Sequence, residues 1–279
     1  MSYECVFCII RSFEKLLKIH PIKEELKDDI VADFLSYMSS VDFKQPTPEI
    51  AREIHSMIKD YLNNPDPYKS EKKANNEFLL KLYPELKEKV TQSENPFKTA
   101  LRLSIAGNIV DYAACQEFDI IETINHVLTS EFGINHSELL KQEIEKAQTI
   151  LYLGDNAGEI VLDKLFLETL NHPNVYFAVK DKPIINDATI EDANFVGINN
   201  IAKIISNGYD APSTIIEKAS GEFLDIYNKA DLIISKGQGN FEGLINNNHK
   251  NLFFLLMVKC DVIGRLIGVN KGDFVVIKN

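Results

Sequence analysis

Apolar residues recur at three- and four-residue steps through the first half of the chain and gather into short continuous runs in the second. Phe13, Leu16 and Leu17, then Ile30, Phe34, Leu35 and Met38, follow the period of amphipathic helices. Pro46-Thr47-Pro48 resets the chain. Thr47 is placed to cap a helix that has Pro48 at its first position and runs through Ile50, Ile54, Met57, Ile58 and Leu62. Asn63-Asn64-Pro65-Asp66-Pro67-Tyr68 then reads as a turn. From about Thr149 short apolar runs alternate with helical stretches, and the expected strands are 149–153, 175–179, 203–206, 232–235, 252–258 and 274–277. This rhythm predicts an α/β fold with a mostly parallel sheet and right-handed crossovers. The expected division is a helical domain over 1–145 and an α/β domain over 146–279, with a site at the cleft between them.

Each of the first five expected strands is followed by polar residues. Asp155 and Asn156 follow the first, Lys180 the second, Asn207 the third, Lys236 the fourth and Lys259 the fifth. In a parallel sheet these groups share the carboxyl edge, where α/β folds build their sites. Two carboxylates and an amide suit a hard divalent cation, and Asp187 in Ile185-Asn186-Asp187-Ala188-Thr189 is the candidate third ligand beside Asp155 and Asn156. Lys180, Lys236 and Lys259 are point charges suited to a phosphate. Each residue also has a plainer role: Asp155, Asn156, Asp187 or Thr189 as turn or helix-cap residues, the lysines as solvated loop residues. In the Ser235–Gly243 loop, Gly237 and Gly239 allow close backbone approach and N–H groups for an anion, or form an ordinary turn. It lacks the spacing and Lys-Ser/Thr ending of a nucleotide-binding P-loop. Asn108 and Asp111, three apart on an otherwise apolar helix, share a face; they either bond nearby backbone or point into the cleft.

Composition removes several classes of function. With 41 acidic and 30 basic residues, a formal charge of −11 and no dense basic cluster, nucleic acid is not an expected partner. No apolar run approaches the roughly 20 residues of a membrane span. The start, Met1-Ser2-Tyr3-Glu4-Cys5, lacks the basic and apolar segments of a secretory signal, so a cytoplasmic location is expected. Four cysteines in 279 residues do not form a disulfide framework. Cys5-Val6-Phe7-Cys8 has the spacing of two zinc thiolates or a redox pair, but no second such pair follows, and two inert cysteines at a helix start fit equally.

Taken together, the motifs resemble the metal-dependent damage-control phosphatase family, once catalogued as domain of unknown function 89. The resemblance is carried by Cys5-x-x-Cys8, Asn95-Pro96-Phe97, Gly107-Asn108-x-x-Asp111, Gly154-Asp155-Asn156-Ala157-Gly158-Glu159, Asn186-Asp187-Ala188-Thr189, Lys236-Gly237-x-Gly239-Asn240 and Phe254-Leu255-Leu256-x-Val258-Lys259-Cys260. It spans essentially the whole chain. It implies a helical region on a three-layer, Rossmann-like α/β domain and phosphatase activity on small phosphorylated metabolites with a bound divalent ion. By position, Asp155, Asn156 and Asp187 resemble the metal ligands, Lys236 and Asn240 phosphate or substrate contacts, and Lys259 the basic residue near the phosphate. Gln238 stands where larger relatives carry an acidic residue, and Met257-Val258 where they carry Arg-Thr.

The resulting expectation is a phosphomonoester hydrolase for sugar phosphates or damaged phosphometabolites. Asp155, Asn156 and Asp187 hold Mn, Co, Ni or Mg; Asp155, Lys236 and Lys259 act in catalysis; Asn108, Asp111, Lys180 and Asn240 bind substrate. Ala157 stands where an aspartyl-nucleophile phosphatase has its second Asp, which favours attack by water. The rival readings are an S-adenosylmethionine-dependent methyltransferase, which leaves the metal and lysines without a purpose, and a non-catalytic metabolite-binding protein.

Overall fold

The computed structural model describes residues 2–110, 124–247, 249 and 251–279, with backbone alone for 108–110. Its centre is a seven-stranded sheet: β1 (Phe132–Asn135), β2 (Ile150–Leu153), β3 (Val175–Val179), β4 (Lys203–Ser206), β5 (Leu232–Lys236), β6 (Leu252–Met257) and β7 (Phe274–Lys278). The spatial order is β1-β7-β6-β5-β2-β3-β4. All pairs are parallel except β6 with β7. The chain runs outward from β2 through β3 to β4 and returns to place β5 on the other side of β2. The topological switch point therefore lies between the carboxyl ends of β2 and β5, where a crevice opens.

Alternation along β2 explains the three layers. Ile150 and Tyr152 face one side, where Tyr152 stacks on Phe177 with ring centroids 5.4 Å apart. Helices Glu159–Leu170, Lys69–Gln92 and Pro96–Val110 cover this side. Leu151 and Leu153 face the other side, covered by Phe223 and Tyr227 of helix Gly221–Lys229, Phe241 and Leu244 of helix Gly237–Leu244, and Ile263 of helix Asp261–Ile267. A separate core forms where helices Tyr3–Ile19, Lys27–Ser40 and Thr47–Leu62 meet through Ile9, Phe13, Leu16, Ile30, Phe34 and Ile54.

The expected strands are all present. β1 is an addition: Phe132–Asn135 pairs with β7 inside the stretch read as helical. Four residues, one of them Gly133, with alternate positions exposed, carry too weak an apolar signal to stand out from loop. Helix Thr47–Leu62 starts as expected, but Pro46 is its flanking residue and no side chain caps it. The Thr47 hydroxyl bonds Glu242 instead.

His55, on helix Thr47–Leu62, is buried, and burial pushes its imidazole down to about 3. In the unfolded chain the same group titrates near 6.5. Its contribution is therefore fully present above pH ~6.5 and is lost as pH falls toward 3, because the unfolded chain takes up the proton first. Wild type should lose about 1.4 kcal/mol more stability per pH unit than His55→Gln between pH 6 and 4. Urea melts at both pH values measure this, and parallel slopes for the two proteins would refute it.

Candidate active site

β2 ends at Leu153, and the backbone then makes a tight passage through Gly154-Asp155-Asn156-Ala157-Gly158 into helix Glu159–Leu170. Gly158 is needed here: its φ is +83°, and a Cβ would lie 3.0 Å from that of Asn75. Its N–H donates to Asn76 Oδ1 at 2.6 Å. Neither Asp155 nor Asn156 caps the helix; the flanking residue is Gly158, with no side-chain cap. The helix-cap reading of that pair is thereby removed.

A second segment completes the site. After β3, residues 184–189 turn back and lie antiparallel to 155–157. The Ala157 N–H donates to Asn186 O at 2.9 Å, and the Ala188 N–H to Asp155 O at 2.8 Å. Ile185 has φ +46°, an uncommon conformation for a β-branched residue, held while its side chain packs on the N-terminal helical core. Thr189 then caps helix Ile190–Phe195, bonding Asp192 reciprocally. The backbone pairing brings Asp155, Asn156 and Asp187 together around a cavity of about 220 Å³ that Glu242 and Lys259 also line. The three are nearly buried, at 6%, 4% and 3% exposure.

The donor chemistry suits a hard cation. The Asn156 amide nitrogen donates to Asp155 Oδ2 at 3.2 Å and Glu159 Oε2 at 3.4 Å, which turns Oδ1 the other way. Among the described residues, no three His, Cys, Asp or Glu side chains are gathered closely enough to hold a metal by themselves. Two carboxylates and one amide oxygen could hold one with water and phosphate oxygens completing the shell, the arrangement Mg²⁺ and similar ions use. Lys180 stands 3.5 Å from Asp187 Oδ2 and donates to Asn240 Oδ1 at 3.1 Å.

The chain as a whole has close counterparts. Residues 1–275 match the damage-control phosphatase ARMT1-like domain. The chain is 31% identical to damage-control phosphatase PH1575 of Pyrococcus horikoshii over 100% of this chain and 98% of that one. It is 33% identical to a damage-control phosphatase of Archaeoglobus fulgidus over 97% and 96%. The crystal structure of the Pyrococcus horikoshii protein, described as a DUF89 family protein, superposes with a TM-score of 0.92 at 30% identity, covering 100% and 99% of the two chains. The chain belongs to the ARMT1-like damage-control phosphatase family. Its relatives support a phosphatase role.

In this member of the family, two residues expected to touch substrate are turned inward. Lys236 is fully buried; its ammonium donates to Ser104 O at 2.7 Å, Glu159 Oε1 at 2.6 Å and Asp163 Oδ1 at 2.6 Å. An ammonium has three N–H donors, so none is left for a phosphate. Asn240 is equally buried: its amide donates to Gly154 O and Lys236 O, and its oxygen accepts from Lys180 and Thr214. Both residues position the ends of β2 and β5. The glycine loop differs likewise: Gly237–Leu244 is helical, and a Cβ on Gly239 would lie 2.3 Å from Pro212 O, so the close backbone approach is to protein. The Asn108 side chain and Asp111 lie outside the described residues.

Residues that sequence reasoning missed cluster around Lys259. Gln238 accepts the Lys259 N–H at 2.8 Å and donates to Glu242 Oε1 at 2.8 Å and to Cys260 Sγ at 3.6 Å. Burial pushes the Glu242 carboxyl up, against the bonds from Gln238 and Thr47 and the charge of Lys259. In the resemblance, Gln238 stands where larger relatives carry an acidic residue, which was the one available signal. Cys5, Cys8 and Cys260 are free thiols, and burial raises that of Cys5.

Around Lys236 the charges are tightly coupled. Burial opposes its charge, but Asp163 and Glu159 outweigh that and hold the ammonium above the ordinary lysine range. Burial raises both carboxyls despite Lys236. Lys236→Met leaves two buried carboxylates without their cation and should cost about 3–5 kcal/mol at pH 7. The deficit should shrink as pH falls, since the folded variant binds protons on these carboxylates more tightly than the unfolded chain. Urea denaturation at pH 7 and 5.5 measures both; a loss under about 1 kcal/mol would show that the cluster is not anchored by Lys236.

Proposed function

We propose that the protein is a metal-dependent phosphomonoester hydrolase whose centre is the cleft at the carboxyl ends of β2, β3 and β5. The observation that carries this reading is the return of residues 186–188 onto 155–157, which sets Asp155, Asn156 and Asp187 around one cavity with Lys259. Asp155, Asn156 and Asp187 hold a divalent ion such as Mn, Co, Ni or Mg. When bound, that ion neutralises phosphoryl oxygens and lowers the pKa of water. Lys259 adds positive charge at the phosphoryl group, and Lys180 balances Asp187 from below. The water oxygen bonds to phosphorus, the ester P–O bond breaks, and the proton the water loses passes to the leaving oxygen, giving the alcohol and inorganic phosphate. Family membership favours this over the methyltransferase reading, which has no use for the carboxylate set.

The substrates are small phosphorylated metabolites. The phosphoryl group, the ion and its waters occupy the cavity of about 220 Å³, and the organic part extends beyond it. The test is release of phosphate from p-nitrophenyl phosphate by purified protein, stripped with chelator and then supplied with each ion. Chelated protein should be inactive, and added metal should restore turnover. Asp155→Ala and Asp187→Ala should each lower kcat/KM at least about 100-fold. Release that persists without metal or survives both substitutions would refute the proposal.

A further inference from the structure

A larger cavity, about 580 Å³, adjoins the first and falls within the size range of small-molecule sites. The two share Thr47, Ala51, Ile185, Glu242 and Lys259 in their walls, so they lie side by side across these residues. Its deep side is apolar, built from Ile9, Phe13 and Leu16 of helix Tyr3–Ile19 and Ile54 of helix Thr47–Leu62. Its other side carries Gln238 and the largely buried Glu242 carboxyl, next to Lys259. Cys5 and Cys8 of helix Tyr3–Ile19 and Cys260, just before helix Asp261–Ile267, line it. The arrangement is directional: oxygen ligands and a lysine at one end, a mixed apolar and hydrogen-bonding chamber at the other.

We propose that this chamber is the leaving-group subsite of the phosphatase centre, an inference that rests on the function given above. It selects monophosphates of elongated alcohols. The phosphoryl group lies at Asp155, Asn156, Asp187 and Lys259. An apolar stretch of the alcohol lies against Ile9, Phe13, Leu16 and Ile54, and hydroxyl or amide groups bond Glu242 and Gln238. A triose-sized alcohol leaves the chamber empty and gains nothing from its apolar wall, whereas each buried methylene of a longer one adds binding. The N-terminal helices thus supply the specificity of a centre whose charged groups come from the sheet.

Two measurements test this. With metal supplied, kcat/KM for 6-hydroxyhexyl phosphate should exceed that for glycerol 1-phosphate at least about ten-fold. Ser12 lines only the larger cavity and is exposed. Ser12→Trp should remove most of that preference, with glycerol 1-phosphate turnover within about three-fold of wild type. Independently of turnover, hexylphosphonate should slow alkylation of Cys8 and Cys260 by N-ethylmaleimide, whereas methylphosphonate should not. Turnover of both esters at equal efficiency, with labelling unaffected by hexylphosphonate, would overturn the subsite and leave the phosphatase intact. Protection by hexylphosphonate without metal-dependent turnover of either ester or of p-nitrophenyl phosphate would support the chamber and overturn the phosphatase.

Discussion

One buried ammonium holds the two halves of the switch point together. Lys236 closes β5, and its three N–H groups reach Ser104 O on the covering helix and Glu159 and Asp163 on the helix that leaves β2. Three acceptors around one donor group, all away from water, permit a single geometry. Glu159 also receives the Asn156 amide, and Asn156 in turn bonds Asp155. The orientation of the proposed ligand pair is thus set by a charge cluster buried beneath it. Tyr152 adds a further bond to Asp163 at 2.7 Å from the centre of β2.

The helical layer shapes the site from the opposite side. Lys59 donates to Pro183 O, Arg52 pairs with Asp210 at 2.5 Å, and the Tyr209 hydroxyl donates to Glu49 at 3.0 Å. These contacts join helix Thr47–Leu62 to the loops after β3 and β4. The Lys59 bond holds the start of the loop containing Ile185 and Asp187, whose far side is paired with 155–157. The first helix is tied through Glu4 to Arg265 on the helix after Cys260. The sheet edge and the N-terminal helices are therefore joined by ion pairs and a few hydrogen bonds.

The proposed phosphate end and alcohol end have different physical origins. The first depends on parallel strands, which deliver polar residues to one edge because every strand points the same way. The second depends on helix packing, which leaves a chamber where helices Tyr3–Ile19 and Thr47–Leu62 meet the sheet edge without filling it. Glu242 and Gln238 stand at the junction, on a helix whose opposite face, through Phe241 and Leu244, belongs to the core.

Periodicity and strand-end polarity made most of the fold legible from sequence alone. Six of the seven strands, and the choice of Asp155, Asn156 and Asp187 as candidates, followed from local residue types, because hydrophobic alternation and turn residues are short-range signals. Strand β1 did not, being brief and half exposed. All three strand-end lysines were expected at the phosphate or substrate, and only the tertiary structure separated their surroundings. Lys259 reaches the cavity, Lys180 lies beneath Asp187, and Lys236 is consumed by partners as distant as Ser104, 132 residues away. Local sequence states that a side chain is charged and where its strand ends. Which acceptors surround it is decided by segments that meet only on folding, and an ammonium already bonded three times has no donor left to offer a substrate.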